Sequence, residues 1–256
     1  MTKSIVISLL LFPILLVGQS KTENFYFGLQ FKPIIAAAYF DAGDESSQWE
    51  NYNFELSPSF GQSLGMIVRY HLSSTFSTET GLNLVNRSYQ LSVHNSDIGL
   101  QDLSNFTLRS YELPIQILSY VKVSDKYYLN TAFGNSFNIF ASDVISFGEE
   151  NSFFFQSTSV RKRTQSALIA NLGIEYRSLE KGIFYLGFSL HRPWKNTARN
   201  YPEFDDGTNS FNTQAPAGKD VKYMDISGNY LTLDLRYFFH QKNSRFIFDA
   251  VRYLTA

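Results

Sequence analysis

Residues 111–134 read YELPIQILSYVKVSDKYYLNTAFG, and this stretch decides the fold class. Alternate residues are apolar on both sides of the short polar link 122–126, which is the pattern of two β-strands joined by a tight turn. The chain contains eight such dyad-alternating segments. They centre on Phe25–Phe31, Phe60–Tyr70, Phe76–Leu84, Tyr111–Ile117, Tyr127–Phe133, Leu168–Tyr176, Phe184–His191 and Tyr230–Phe239.

The connections between these segments alternate in length. Tight links, residues 72–75, 122–126 and 178–182, follow the second, fourth and sixth segments, whereas the other connections are long and polar. Outer-membrane barrels have tight turns at the periplasmic end and long loops outside. We therefore predict an all-β fold, a transmembrane antiparallel up-and-down β-barrel of about eight strands with long extracellular loops and short periplasmic turns.

The two faces of each segment differ in polarity. In the last segment, Leu231, Leu233 and Leu235 alternate with Thr232 and Asp234. Alternation alone does not say which face points inward, and a soluble barrel would place the apolar face inside. The aromatic residues at the segment ends, the unequal connections and an apparent export signal favour the opposite sense, with the apolar face toward lipid.

The N-terminal residues 1–20 have the character of a cleaved secretory signal, with Lys3 before a short apolar stretch and small residues at its end. We predict residues 21–240 as the barrel domain, residues 241–256 as a C-terminal tail of unclear role, and the cell outer membrane as the location.

The chain has no cysteine, so a lipid anchor on cysteine and thiolate chemistry are excluded. After removal of Lys3, 21 basic residues face 23 acidic ones, which does not indicate a nucleic-acid partner.

The predicted lumen face carries charged residues that need partners inside a narrow barrel. We expect them either to form a ladder of ion pairs that plugs the lumen or to line a gate or narrow ion path. The predicted lumen charge network consists of Arg69, Glu79, Glu112, Glu175, Asp234 and Arg236.

The long connections are the regions expected to meet partners. Residues 192–229 combine aromatic and polar side chains, which suits contact with a carbohydrate or protein and equally suits folding over the barrel mouth. A protein partner is expected through this loop or through the tail 241–256, and the barrel itself is expected to be a monomer. Arg161, Lys162 and Arg163 are candidates for contact with lipopolysaccharide phosphates. The four predicted outer loops are Asp41–Glu55, Ser92–Asn105, Ala141–Thr164 and Arg192–Asn229.

Two further groups of residues are candidates for chemistry. Glu203, Asp205 and Asp206 offer oxygen ligands to a divalent cation, but they lack calcium-loop spacing and read more simply as a solvated patch. Ser189 and His191 share one strand face with Glu175 on the preceding strand, the one trio that resembles a lipid-hydrolase site. Such a pair is common by chance, so we expect no catalytic residues, no cofactor and no metal.

Several strands also resemble those of the PorT-like outer-membrane barrels. The similarity lies in Glu79-Thr-Gly-Leu82, in Tyr111-Glu-Leu-Pro114, in the strand 127–134 and in the aromatic-ended strand 230–239. The resemblance implies an eight-stranded outer-membrane barrel without assigned enzymatic activity, in a family of which some members are linked to protein secretion and gliding machinery. The tail 241–256 departs from it, because barrels of this type commonly end at the last aromatic strand.

Overall fold

The structure is a computed structural model, and it describes residues 25–35, 43–178, 180–212 and 221–240. The predicted signal 1–20 and the tail 241–256 lie outside these ranges. Among the described residues no helix is long and apolar enough to cross a membrane. The strands are β1 (Phe25–Ile35), β2 (Glu45–Trp49), β3 (Tyr52–Pro58), β4 (Gly61–His71), β5 (Phe76–Asn95), β6 (Leu100–Lys122), β7 (Tyr127–Phe140), β8 (Val144–Phe147), β9 (Phe154–Val160), β10 (Thr164–Ser178), β11 (Gly182–Pro193), β12 (Ala198–Asp205), β13 (Ser210–Phe211), β14 (Met224–Ile226) and β15 (Tyr230–Phe238).

Eight of these strands close into a barrel, which confirms the predicted fold class. The order around the ring is β1-β4-β5-β6-β7-β10-β11-β15, and every neighbouring pair is antiparallel. The first and last strands close the ring, with Leu29 opposite Tyr237 and Phe31 opposite Leu235. Each of the eight sequence segments corresponds to one barrel strand, and the tight links join β4 to β5, β6 to β7 and β10 to β11.

The barrel is apolar outside and polar inside. Leu64, Ile117 and Phe133 are each about 60% exposed on the outer wall, while the alternate positions are buried polar or charged residues. Closed barrels expose such an apolar belt where they contact lipid. The predicted orientation of the two faces is therefore the one observed.

The polarity of both faces reverses where β5 and β6 rise beyond the belt. On β5 the outer face changes from Leu84 to Asn86, and on β6 it changes from Tyr111 to Arg109. Beyond Arg87 the inward positions of β5 include Leu91 and Val93, which are apolar and almost fully buried. Each strand thus passes from a lipid environment with a polar lumen to an aqueous environment with an apolar interior.

The long connections predicted at this end are present, but they are largely β-structured. The hairpin β2–β3 continues the barrel sheet along β5, and β8, β9, β12, β13 and β14 form a second sheet. The two sheets enclose a separate apolar core, so together they form a cap over the barrel mouth. The buried core residues of this external cap are Tyr52, Phe54, Leu56, Leu91, Val93, Leu100, Phe106, Leu108, Phe154, Ala198, Phe204, Phe211, Met224 and Ile226.

Candidate functional site

Seven charged side chains of alternating sign form one continuous chain of ion pairs through the barrel lumen. Its ends are Arg177, near the tight turn between β10 and β11, and Lys32, toward the outer end of β1. The six nitrogen–oxygen distances are 3.4 Å for Lys32–Asp234, 2.6 Å for Asp234–Arg236, 2.8 Å for Arg236–Glu79, 2.6 Å for Glu79–Arg69, 2.6 Å for Arg69–Glu175 and 2.9 Å for Glu175–Arg177.

The structure brings five of the six predicted lumen charges into this chain. Glu112 lies outside it, in a second cluster nearer the cap. Lys32 and Arg177 are not among the predicted lumen charges because each lies one residue beyond an alternating segment, Phe25–Phe31 or Leu168–Tyr176. The sequence nevertheless predicts that both side chains face the lumen. Lys32 alternates in step with Gly28 and Gln30 on β1, and Arg177 follows Glu175 by two residues on β10.

Aromatic rings cover the guanidinium groups of the chain. Arg69 stacks on Phe238 at 4.1 Å from the ring centroid, and Arg236 stacks on Tyr185 at 4.6 Å. Arg177 lies 4.0 Å from the centroid of Tyr128. Such contacts offset part of the cost of taking a cation out of water. The side chains of Arg69, Glu79, Asp234 and Arg236 are fully buried.

The tyrosine beside Arg236 needs two glycines. The hydroxyl of Tyr185 donates to Asn171 Oδ1 at 2.6 Å, and its ring passes over Gly173 and Gly187. A Cβ atom at either glycine would collide with the tyrosine ring and with a cross-strand carbonyl oxygen. The lumen positions 173 and 187 therefore require glycine, because the Tyr185 ring occupies the space that a side chain would need.

Glu112 anchors the second polar cluster, above the ion-pair chain. Its Oε2 accepts the hydroxyl of Tyr230 at 2.9 Å and lies 3.5 Å from His191 Nε2, while Oε1 accepts from Asn83 at 3.3 Å. The His191 ring stacks on Tyr230 at 4.3 Å between centroids. Still nearer the cap, the Arg87 guanidinium lies 5.2 Å from the ring centroid of Phe140 and 5.0 Å from that of Tyr230.

The predicted hydrolase trio is not assembled as a relay. Ser189 Oγ donates to Asp234 Oδ2 at 2.6 Å, and the nearest bond of His191 is to Ser136, at 2.9 Å. Glu175 is held by Arg69 and Arg177. The three side chains are each bonded to a different partner, and no hydrogen bond among the described residues joins Ser189 to His191.

The predicted lipopolysaccharide contacts lie at the outer rim, where β10 begins. Arg161 is turned toward Asp225, at 3.8 Å, in a pair that Arg199 shares at 3.1 Å. Lys162 and Arg163 are exposed, and the Arg163 guanidinium donates to the carbonyl oxygen of Ala141. Arg161 is therefore engaged in an ion pair with Asp225, whereas Lys162 and Arg163 remain exposed at the rim.

The acidic residues of the last connection have separate surroundings. Asp206 accepts backbone N–H groups of Thr208 and Asn209 at 2.8 and 2.6 Å, and these bonds lower the pKa of its carboxyl group. Partial burial on β12 raises the pKa of Glu203. Among the residues that the structure describes, no group of three or more acidic or histidine side chains is placed to hold a metal ion.

Aromatic residues of the same connection divide into two groups. Phe204 and Phe211 are buried in the cap core, as expected for a loop that folds over the mouth. Trp194 is 65% exposed, and its Nε1 donates to Asn135 Oδ1, on the outer wall, at 3.2 Å. Tyr201 packs near Tyr223 on the outer face of the cap, with 5.9 Å between ring centroids.

Comparison with known proteins agrees with the fold and goes no further. No protein-family model and no curated protein matches the sequence. The outer membrane protein OprG from Pseudomonas aeruginosa matches with a TM-score of 0.50 and 11% identity, over 85% of this chain and 96% of OprG. The outer membrane protease OmpT from Escherichia coli matches with a TM-score of 0.37 and 10% identity, over 86% of this chain and 98% of OmpT. In fold, the chain is an eight-stranded β-barrel of the outer-membrane type.

Proposed function

We propose that this chain is a closed outer-membrane barrel that displays its external cap to a macromolecular partner, without catalysis and without conduction. The observation that carries the proposal is the filled lumen beneath a structured cap. The barrel would reach the outer membrane by way of a cleaved N-terminal signal, reside there as a monomer and expose the cap outside the cell. The resemblance of four strands to PorT-like barrels supports the same class of role.

The lumen supports the non-conducting part of the proposal. An eight-stranded barrel has an interior that side chains just fill, and here the side chains are ion pairs and aromatic rings with no exposed surface at the centre. Conducting barrels keep a hydrated path, which requires more strands or smaller inward residues. The pore alternative is therefore the weaker one.

The hydrogen bonds of the lumen support the absence of catalysis. A hydrolase needs its hydroxyl bonded to the base that activates it and open to substrate. Ser189 instead donates to a carboxylate that is already paired with Arg236, and it is 5% exposed. Its bond is best explained as one more lumen contact.

The outer face of the cap supports the partner-binding part. Ile145 and Phe147 on β8 are 64% and 61% exposed, and Phe147 lies 5.9 Å from the ring of Phe155 on β9. Exposed apolar residues that cluster on a rigid sheet are typical of interaction surfaces. Because the cap core holds this sheet in place, little ordering would be needed on binding.

A site-specific photocrosslinking experiment tests this role. A benzoylphenylalanine side chain is placed at position 147 on the cap, or at position 123 in the tight turn of the opposite end, where Val123 is 65% exposed. We expect irradiation of intact cells to give a discrete adduct from position 147 and none at the same mass from position 123. We further expect Ile145→Ser to reduce that adduct.

Two outcomes would overturn the proposed role. One is an absence of any adduct from position 147 in a protein that is present at the cell surface at normal levels. The other is an identical adduct pattern from both positions. Surface display is checked in the same cells by antibody staining without permeabilisation.

A further inference from the structure

Five exposed basic side chains line one sector of the outer rim, at the upper border of the apolar belt. This basic rim comprises Arg109 on β6, Lys162 and Arg163 before β10, Arg192 on β11 and Lys195 after it. Only Lys162 and Arg163 belong to the run apparent from the sequence. The others are brought beside it because β6, β7, β10 and β11 are consecutive around the ring.

Backbone contacts fix the level of this rim. Ala141 donates its N–H to the carbonyl oxygen of Arg109 at 3.1 Å, and its own carbonyl oxygen accepts the guanidinium of Arg163. Arg109 lies two residues above the belt residue Tyr111, and Arg192 lies opposite Leu168 in the β10–β11 register. The charges therefore start where the lipid-facing residues end, which is the level of lipid head groups.

The cations of the rim lack acidic neighbours. Within the described ranges no carboxylate lies within 4.0 Å of any of the five, whereas Arg161, just above, is paired with Asp225. The exposed carboxylate of Glu55 on β3 lies nearer the top of the cap, because Glu55 is opposite Ser92 on β5, whereas Arg109 of the rim is opposite Asn86. A group of exposed cations without carboxylate partners favours an anionic ligand.

Trp194 extends the rim onto the outer wall. Its indole is exposed and lies across β10, because Nε1 donates to Asn135 on β7. Trp194 and its neighbour Lys195 border an open groove with Lys162, Thr164, Ser166 and Asn196. An indole at the border of an apolar belt is suited to the junction between acyl chains and head groups.

We propose that the basic rim and Trp194 form a binding site for lipopolysaccharide, with the cations on its lipid A phosphates and the indole beside its acyl chains. Phosphate oxygens accept several charge-assisted hydrogen bonds from Arg and Lys. A lipid of the outer leaflet presents such phosphates at the level of the rim. The site does not depend on a partner for the cap, and it would still bind lipid if the cap had none.

A titration of refolded protein with purified lipid A tests this assignment. The two ligands are lipid A with both phosphates and the same lipid A after enzymatic removal of its phosphates. We expect the wild-type chain to bind the phosphorylated form more tightly by at least about tenfold, because charge-assisted contacts are lost with the phosphates. We expect this preference to weaken at high salt.

Matched charge variants locate the site. The triple substitution Lys162→Gln, Arg192→Gln and Lys195→Gln is expected to abolish the preference for phosphorylated lipid A. The control Lys122→Gln, Lys126→Gln and Lys181→Gln removes three exposed cations at the opposite end and is expected to leave it unchanged. Both variants are first checked for folding by the gel shift between boiled and unboiled samples, and single substitutions replace a triple variant that does not fold.

Three results would overturn the proposal. The first is equal binding of both lipid A forms by the wild-type chain. The second is an unchanged preference in the rim variant, or an equal loss in the control, which would indicate an unspecific charge effect. The third is full competition by phosphatidylglycerol, which would show that the site binds anionic lipids in general and has no preference for lipid A.

Discussion

Arg69 on β4 and Glu175 on β10 belong to opposite walls of the barrel, yet Arg69 Nη1 and Glu175 Oε1 are 2.6 Å apart. Three strands separate β4 from β10 in either direction around the ring. The pair therefore spans the full width of the lumen, and both side chains are completely buried. At this level the ion pair connects the two walls and occupies the lumen between them.

Removal of Arg69 is expected to leave carboxylates uncompensated inside the barrel. Arg69→Met should lower the free energy of unfolding by roughly 3–5 kcal/mol, because a buried pair is broken while its acidic partners remain. Urea unfolding of refolded protein, followed by tryptophan fluorescence, measures this loss. Arg177→Met is the control at the open end of the same chain, where the side chain is 24% exposed and the cost should be smaller. Equal losses in both variants would contradict the bracing role of Arg69.

Gly187 is expected to tolerate no added side-chain atom. Gly187→Ala should destabilise the barrel by about 1–3 kcal/mol, because the new Cβ meets the Tyr185 ring and the carbonyl oxygen of Leu172. The second change Tyr185→Leu should recover part of this loss by removing the ring. The same urea titration measures both variants. A single variant as stable as the wild-type chain would show that the ring has room to move.

The cap is expected to unfold without the barrel when its core is damaged. Phe204→Ala removes a buried aromatic side chain and should destabilise the cap by roughly 3–5 kcal/mol. Limited proteolysis should then cut the cap while the barrel keeps its gel shift. Phe147→Ala, on the exposed face of β8, should cause no such cleavage. Simultaneous loss of the gel shift in Phe204→Ala would mean that cap and barrel unfold as one unit.

Ser189 is expected to contribute to stability and not to lipid turnover. Ser189→Ala removes the 2.6 Å donor to Asp234 and should cost about 1–3 kcal/mol, since the bond is to a charged group. Phospholipid hydrolysis in mixed micelles should be undetectable for the wild-type chain and the variant alike. Hydrolysis by the wild-type chain that disappears in Ser189→Ala would restore the hydrolase interpretation.

The barrel was predictable from sequence because dyad alternation reports a strand with two different environments. All eight segments, from Phe25–Phe31 to Tyr230–Phe239, correspond to strands of the ring. The alternation also sorted Glu79 and Asp234 onto the inner face. What alternation cannot supply is the distance across the lumen, so the pairing of Arg69 with Glu175 and the separation of Glu112 required coordinates.

The cap was less predictable because the sense of its alternation is reversed. On β5 the odd-numbered positions Ser77, Glu79 and Asn83 are polar, whereas Leu91 and Val93 are apolar, although the strand and its parity are continuous. The lipid-facing pattern stops at Leu84, so the predicted segment Phe76–Leu84 ends there, while β5 continues to Asn95. The buried positions Phe154 and Phe204 lie in short strands whose partners are distant in sequence, so only tertiary packing identifies them.

Conductance in planar lipid bilayers tests the closed barrel most directly. Refolded wild-type protein is added to one chamber, and its insertion is verified by the gel shift of protein recovered from the same lipid. Because Arg69 and Glu175 close the lumen beneath a structured cap, we expect no discrete current steps above the bare bilayer. Reproducible, steady openings of the wild-type protein would contradict a filled lumen and show instead a narrow pore.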